Sequence, residues 1–199
     1  MHDGVLFIPP RYEGHEKWGR LPKIPGMAIE YCSGNGDWVI GKALEDPSKP
    51  WIAVEKRFDR VRKIWSKMKN KGIDNLLIVC GEAMTFTRHY LLSGSIQEIY
   101  INFPDPWPKR GHAKHRLIQK GFVDEMARVA CEGGSACLVT DDPDYSEQMI
   151  QEMMPIWKPQ VSEPYYTLDF PNYGGSFFDT LWRAKGCAIR YHLFTRGGA

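Results

Sequence analysis

The chain contains no C-x-x-C pair, although it has five cysteines, Cys32, Cys80, Cys131, Cys137 and Cys187. An odd number at such spacings supports neither a disulfide framework nor a zinc site, and most are read as small apolar core residues. No run approaches the roughly 20 consecutive apolar residues that span a bilayer. The first 20 residues also lack the charged-then-apolar pattern of a secretion signal. These absences point away from a membrane and toward a cytoplasmic protein. Internal repeats, low-complexity tracts and linkers are missing too, so the 199 residues read as a Pro- and Gly-rich arm over 1–25 followed by one domain over 26–199.

Excess charge is scarce as well, with a formal net charge of +2. Its distribution is uneven. Residues 56–71 carry one acid, Asp59, among many lysines and arginines, residues 109–120 carry none, and residues 124–152 are mostly acidic. A nearly neutral chain with one strongly positive face has the electrostatic footprint expected for phosphate backbones, although a basic run can also be a solvated helix surface.

Short β-rich runs at 27–31, 51–54, 76–79, 96–101 and 136–139 alternate with helical apolar spacing at 38–44, 58–68, 122–129 and 145–154. That succession predicts a parallel sheet with helices on both faces and right-handed crossovers. After Pro155 the texture turns to prolines, aromatics and glycines, then to an alternating stretch at 188–194 that predicts a final antiparallel strand.

The first of these strands runs into Glu30-Tyr31-Cys32-Ser33-Gly34-Asn35-Gly36-Asp37. Gly34 and Gly36 at a strand-to-helix turn allow positive φ and close approach of a ligand to the backbone. Glu55 ends the second strand near the ~20-residue spacing at which an acid accepts hydrogen bonds from ribose hydroxyls. A dinucleotide shares that geometry, but carboxylates at the ends of three strands, Glu30, Glu55 and Glu82, would repel a pyrophosphate. S-adenosylmethionine has no phosphate and carries a sulfonium and an ammonium. It fits better, with Glu30 near the methionine part, Glu55 at the ribose, and Glu82 with Ala83 along the adenine edge.

The densest signal is Asn102-Phe103-Pro104-Asp105-Pro106-Trp107-Pro108-Lys109-Arg110, directly after the fourth strand. Three prolines fix the backbone where that strand ends, so Asn102 and Asp105 are aimed rather than mobile. Together with His112, Lys114 and Arg116, with Thr140-Asp141-Asp142, and with the glycine turn and later acids, this string resembles the bacterial tRNA (guanine-N7)-methyltransferases over about residues 26–196. The resemblance implies a Rossmann-like class I methyltransferase fold, α/β, with a mostly parallel seven-stranded sheet and an antiparallel last strand. It implies S-adenosylmethionine as cofactor and S-adenosylhomocysteine as product, held by Glu30, Glu55, Glu82 and Asp105. Asp105 is also the implied active-site residue. Lys109 and Asp141 are implied substrate contacts, Gly111, His112, Ala113, Lys114, His115 and Arg116 the RNA-interacting stretch, and Ser176 with Asp179 a conservative form of a Thr-x-Phe-Glu substrate motif. The implied partner is tRNA, methylated at a variable-loop guanine; no obligatory protein partner is evident, and monomer and homodimer are equally open. Four positions depart from the family pattern: Cys32 replaces the usual first glycine of the turn, Glu82 an Asp or Asn, and Gly111 and His115 basic residues.

Guanine N7 bears an in-plane lone pair and no proton at neutral pH, so the transfer needs placement more than a base. Asp105 is therefore expected to orient guanine or the cofactor's ammonium and to stabilise charge growing on the ring. Trp107 can stack on a base or anchor its own loop. His112 and His115 lack further ligands for a metal, and Asp141-Asp142 before Pro143 reads as a helix N-cap with a substrate contact rather than a magnesium pair. Two alternatives stay open: an exocyclic-amine methyltransferase, because residues 102–107 loosely resemble an Asn-Pro-Pro-aromatic loop, and a non-catalytic RNA-binding module of the same fold.

Overall fold

A computed structural model describes residues 3–9, 12–171 and 173–197, with Arg110 described in its backbone alone. Its strands are β1 (Val5–Phe7), β2 (Ala28–Tyr31), β3 (Trp51–Glu55), β4 (Leu76–Cys80), β5 (Ile96–Asn102), β6 (Ala130–Thr140), β7 (Trp157–Pro159) and β8 (Arg190–Arg196). The helices are α1 (Asp37–Glu45), α2 (Phe58–Asn70), α3 (Ala83–Tyr90), α4 (Lys120–Val129), α5 (Pro143–Met153) and α6 (Phe177–Ala184). One sheet has the order β1-β4-β3-β2-β5-β6-β8-β7. All pairings from β1 to β6 are parallel, whereas β8 runs antiparallel to both β6 and β7.

The expected architecture is therefore present, with eight strands in place of seven. The added strand is β1, which lies beside β4 with Val5 opposite Ile78 and Phe7 opposite Cys80. It is only three residues long and flanked by Gly4 and Pro9, so no periodicity announces it. The helices α3 and α6 likewise went unread: each has eight residues, and α6 lies in the aromatic and glycine-rich tail.

Side-chain alternation explains the three-layer arrangement. Along β3, Ile52 and Val54 enter the core on one face while Trp51 and Ala53 enter the core on the other. Both faces are buried, as a parallel sheet under two helical layers requires. The long basic run becomes α2, which buries Val61, Ile64 and Met68 against the sheet and turns its cations outward. Parallel strands and right-handed crossovers bring the carboxyl ends of β2 to β6 to one rim. There ligands of open α/β sheets bind.

The β2–α1 turn is held by two glycines with different constraints. Gly34 has φ 57° and Gly36 φ 78°, but a Cβ on Gly36 would lie 2.7 Å from Ile64 Cγ1, whereas on Gly34 its nearest neighbour would be 3.7 Å away. Gly36→Ala should therefore lose more than Gly34→Ala: about 2 to 4 kcal/mol against about 1 to 2 in urea unfolding. Equal losses would show that the α2 contact is not limiting.

Candidate active site

Glu30, the penultimate residue of β2, is 2% exposed. Asn102 at the end of β5 donates from Nδ2 to Glu30 Oε1 at 2.7 Å, and the Tyr173 hydroxyl donates to Asn102 Oδ1 at 2.7 Å. Glu30 Oε2 is buried with no hydrogen-bond partner. Burial pushes the Glu30 carboxyl up to about 7, against the lowering effects of Asn102 and Ser33, and nearby Glu55 and Asp37 raise it further. A buried acceptor left open in this way is costly unless a donor or cation arrives.

The turn after β2 carries Cys32 in the left-handed region, φ 60°. That conformation accounts for the glycine usual at this place; cysteine adopts it here with its thiol in the site. Burial pushes the thiol up to about 12, so it stays neutral.

Glu55, 4% exposed, ends β3 and accepts at both carboxylate oxygens. The Gly34 amide donates to its Oε2 at 2.9 Å and the Arg57 amide to its Oε1 at 2.8 Å, with the Arg60 guanidinium 3.8 Å away. Glu82 is exposed and N-caps α3 by position, while the Thr85 hydroxyl donates to its Oε2 at 2.6 Å. Ala83 follows it into α3.

The proline string is braced from behind. Phe103 and Trp107 both have positive φ, 48° and 44°. Pro104 is buried, and Arg116 Nε donates to the Pro106 carbonyl at 2.7 Å. The same guanidinium reaches Gln148 Oε1 at 2.8 Å and stacks over Tyr145 at 4.9 Å. Arg116, expected on the RNA-facing stretch, is thus 8% exposed and occupied within the chain. Trp107, 36% exposed, packs against the His112 and His115 rings at 5.9 and 5.3 Å. Asp105 projects at the rim, 3.6 Å from Lys56 Nζ, in an exposed pair that holds weakly.

A cavity of about 380 Å³ brings together Glu55, Glu82, Ala83, Asp105, Trp107, His115 and Asp141, with Phe178 and Trp182 closing it from α6. A second recess, about 20 Å³, holds Glu30, Asn102, Ser176 and Phe178. Burial raises the Asp141 carboxyl, while Asp142 accepts the Tyr145 amide at 2.7 Å and N-caps α5. Ser176 accepts the Asp179 amide at 3.0 Å and N-caps α6. The Asp179 carboxylate points elsewhere, accepting from the Tyr191 hydroxyl at 2.8 Å and from Arg183 at 3.1 Å. Lys109, Gly111, His112 and Lys114 are exposed and Ala113 is half-buried; Ala113 and Lys114 line a separate surface depression with Asp144, Glu147 and Glu152, and the Arg110 side chain lies outside the described residues. Tyr173 and Trp182 were missed, since a lone aromatic carries no pattern; Phe178 lies between Ser176 and Asp179, the pair read as a substrate motif.

A parallel sheet closed by an antiparallel strand, β8, between β6 and β7, with acids at consecutive strand ends and a glycine turn, defines a class I S-adenosylmethionine-dependent methyltransferase architecture. Solved structures share it: the 16S rRNA methyltransferase KamB has a TM-score of 0.64 at 16% identity, covering 97% of this chain and 95% of that one. The antibiotic-resistance methyltransferase Kmr has a TM-score of 0.61 at 17% identity, covering 90% and 91%. The family model described as "Putative methyltransferase" matches residues 26–163. Among curated relatives, the tRNA (guanine-N(7)-)-methyltransferase of Chlamydia muridarum is 54% identical, covering 94% of this chain and 86% of its own length. That of Chlamydia trachomatis serovar D is 51% identical, covering 93% and 85%. The chain belongs to the tRNA (guanine-N7)-methyltransferase family.

Because the folded Glu30 pKa lies above its unfolded value, this group's stabilising share is complete below pH ~4.5 and is lost as pH rises through about 7. Glu30→Gln should therefore match the parent's stability at pH 5 and exceed it by about 2 to 3 kcal/mol at pH 8 in urea unfolding of the ligand-free protein. A difference independent of pH would mean the buried carboxyl does not titrate as described.

Proposed function

We propose that this protein transfers a methyl group from S-adenosylmethionine to N7 of a guanine in tRNA. One observation carries the reading: relatives 45–54% identical over nearly the whole chain bear that name. This chain also holds Glu55, Asp105 and Asp141 around one cavity, with Glu30 in the adjoining recess.

The residues fit the donor. Glu30 Oε2 is an unpartnered buried acceptor suited to an ammonium, and Glu55 is oriented by two amides for ribose hydroxyls. The 20 Å³ recess around Glu30 admits about one water, so a methionine moiety requires part of its lining, where Ser176 and the exposed Phe177 stand, to give way. The helix α6 has no buried residue of its own, and it is held by Trp182 packing on the core and by the Tyr191 hydroxyl donating to Asp179. When bound, S-adenosylmethionine supplies a methyl on a positively charged sulfur and leaves as neutral S-adenosylhomocysteine.

The chain's own contribution is placement and field. Guanine N7 needs no deprotonation, so Asp105 does not act as a base toward it. As an acceptor on a braced loop, Asp105 orients guanine through its N1 and exocyclic amine hydrogens and stabilises the charge arriving on the ring. Alignment of this kind is worth up to roughly 7 to 11 kcal/mol in ideal cases. Asp141 and Trp107 line the same cavity, beside the place the base would take. Lys109 and Lys114 are exposed to grip phosphate.

Methyl transfer from labelled donor to unmodified tRNA, followed by nuclease digestion, should place the label on guanine N7; label on an exocyclic amine would contradict the reading. Asp105→Ala should reduce transfer by at least about a hundredfold while leaving tRNA affinity nearly unchanged. The basic stretch divides in two. Lys114→Ala should weaken tRNA binding and lower the slope of log affinity against log salt by about one, whereas Arg116→Ala should leave that slope unchanged and lower thermal stability, because it unclamps Pro106.

A further inference from the structure

The two recesses of the site share three lining residues, Cys32, Phe103 and Phe178. One recess contains Glu30 and the other Glu55, so the shared wall lies between the two acids. S-adenosylmethionine has a matching topology, because a single sulfur joins its methionine and adenosine halves. A ligand with its ammonium at Glu30 and its ribose at Glu55 must set that sulfur against the shared wall. We propose that Phe103 and Phe178 recognise the sulfonium charge through their rings and so discriminate the methyl donor from its neutral thioether product. The inference rests on the cofactor reading above.

The wall is suited to the task. The two ring centroids are 6.2 Å apart with planes tilted by 38°. The negative face of an aromatic ring attracts a cation within about 6 Å of its centroid, and a neutral thioether gains little from the same contact. Phe103 reaches the wall only because its backbone takes φ 48° immediately after β5, a conformation rare for a bulky residue. Phe178 comes from α6 and approaches the glycine turn so closely that a Cβ on Gly34 would sit 3.7 Å from its Cε2. The third member, Cys32, holds a neutral thiol, so within the wall itself the rings respond to the ligand's charge, in the surrounding field of Glu55, Asp105 and Glu30. The device also serves turnover: once the methyl leaves, the attraction at this wall disappears and the product is held less tightly.

Calorimetric titration of the full chain with S-adenosylmethionine and, separately, with S-adenosylhomocysteine tests this. Phe178 is half-buried on a helix with no buried residue, so its replacement leaves the core intact. Phe178→Leu is expected to lose about three- to tenfold in affinity for the sulfonium ligand and less than about twofold for the thioether. Phe178→Tyr should restore the parental ratio. Equal losses for both ligands would overturn the inference, because a purely packing role weakens both alike, and would leave the cofactor reading standing. Failure of the unaltered protein to bind either ligand would overturn both.

Discussion

The site depends on one buried hydrogen-bond chain, from the Tyr173 hydroxyl through the Asn102 carboxamide to the Glu30 carboxyl. Its three members come from the end of β5, the end of β2 and the loop before α6, segments far apart in sequence. A carboxamide set between a hydroxyl that donates and a carboxylate that accepts turns its oxygen to the first and its nitrogen to the second. Tyr173 donates to its oxygen, so its nitrogen must face Glu30, and Glu30 is left with one satisfied oxygen and one open. Desolvation then does the rest. A carboxyl that water would hold ionised is raised to about 7, poised to become charged when a cation enters. The Tyr173 segment also binds the glycine-turn helix, since Trp38 Nε1 donates to the Tyr173 carbonyl at 2.7 Å. The C-terminal segment thereby fixes both the acid and the helix that follows it.

The second constraint is the stiffness of the loop after β5. Residues with positive φ flank its Pro104-Asp105-Pro106 core, and Arg116 holds Pro106 from behind. Asp105 stands in the open because its neighbours are fixed. A reaction that asks no group to remove a proton depends on where such an acceptor stands. On the reading proposed for Asp105, a braced loop contributes more than a strong base would. The larger cavity meets this loop on one side and the oriented Glu55 carboxylate on the other.

Much of this arrangement was legible in the residues. Glu55, Glu82 and Asp105 are strand-end or loop groups whose place follows from period, spacing and proline chemistry, and the structure sets them around one cavity. Asp142 was readable as a cap from the proline after it. Other features had no local signature. β1 is three residues long and gains its stability from pairing with β4, a long-range contact no window contains. Tyr173 acts through a partner 71 positions away. Arg116 was misjudged for the opposite reason: a cation in a basic run looks solvent-facing, yet its guanidinium is drawn inward by the Pro106 carbonyl and the Tyr145 ring. Composition records charge; it does not record which member of a run a fold turns inward. Cys32 shows how backbone demand and side-chain identity separate, since the turn requires positive φ there and cysteine tolerates it.

The central claim is that Glu30 is held neutral or half-charged until the cationic half of the donor reaches it. The most direct measurement is a carbon-13 NMR titration of the Glu30 side-chain carboxyl in the free protein and in the presence of S-adenosylmethionine. A midpoint near 7 without ligand, falling by at least about one unit with it, is the predicted result. A midpoint in the ordinary carboxylate range without ligand, or one that the ligand leaves unchanged, would contradict the account.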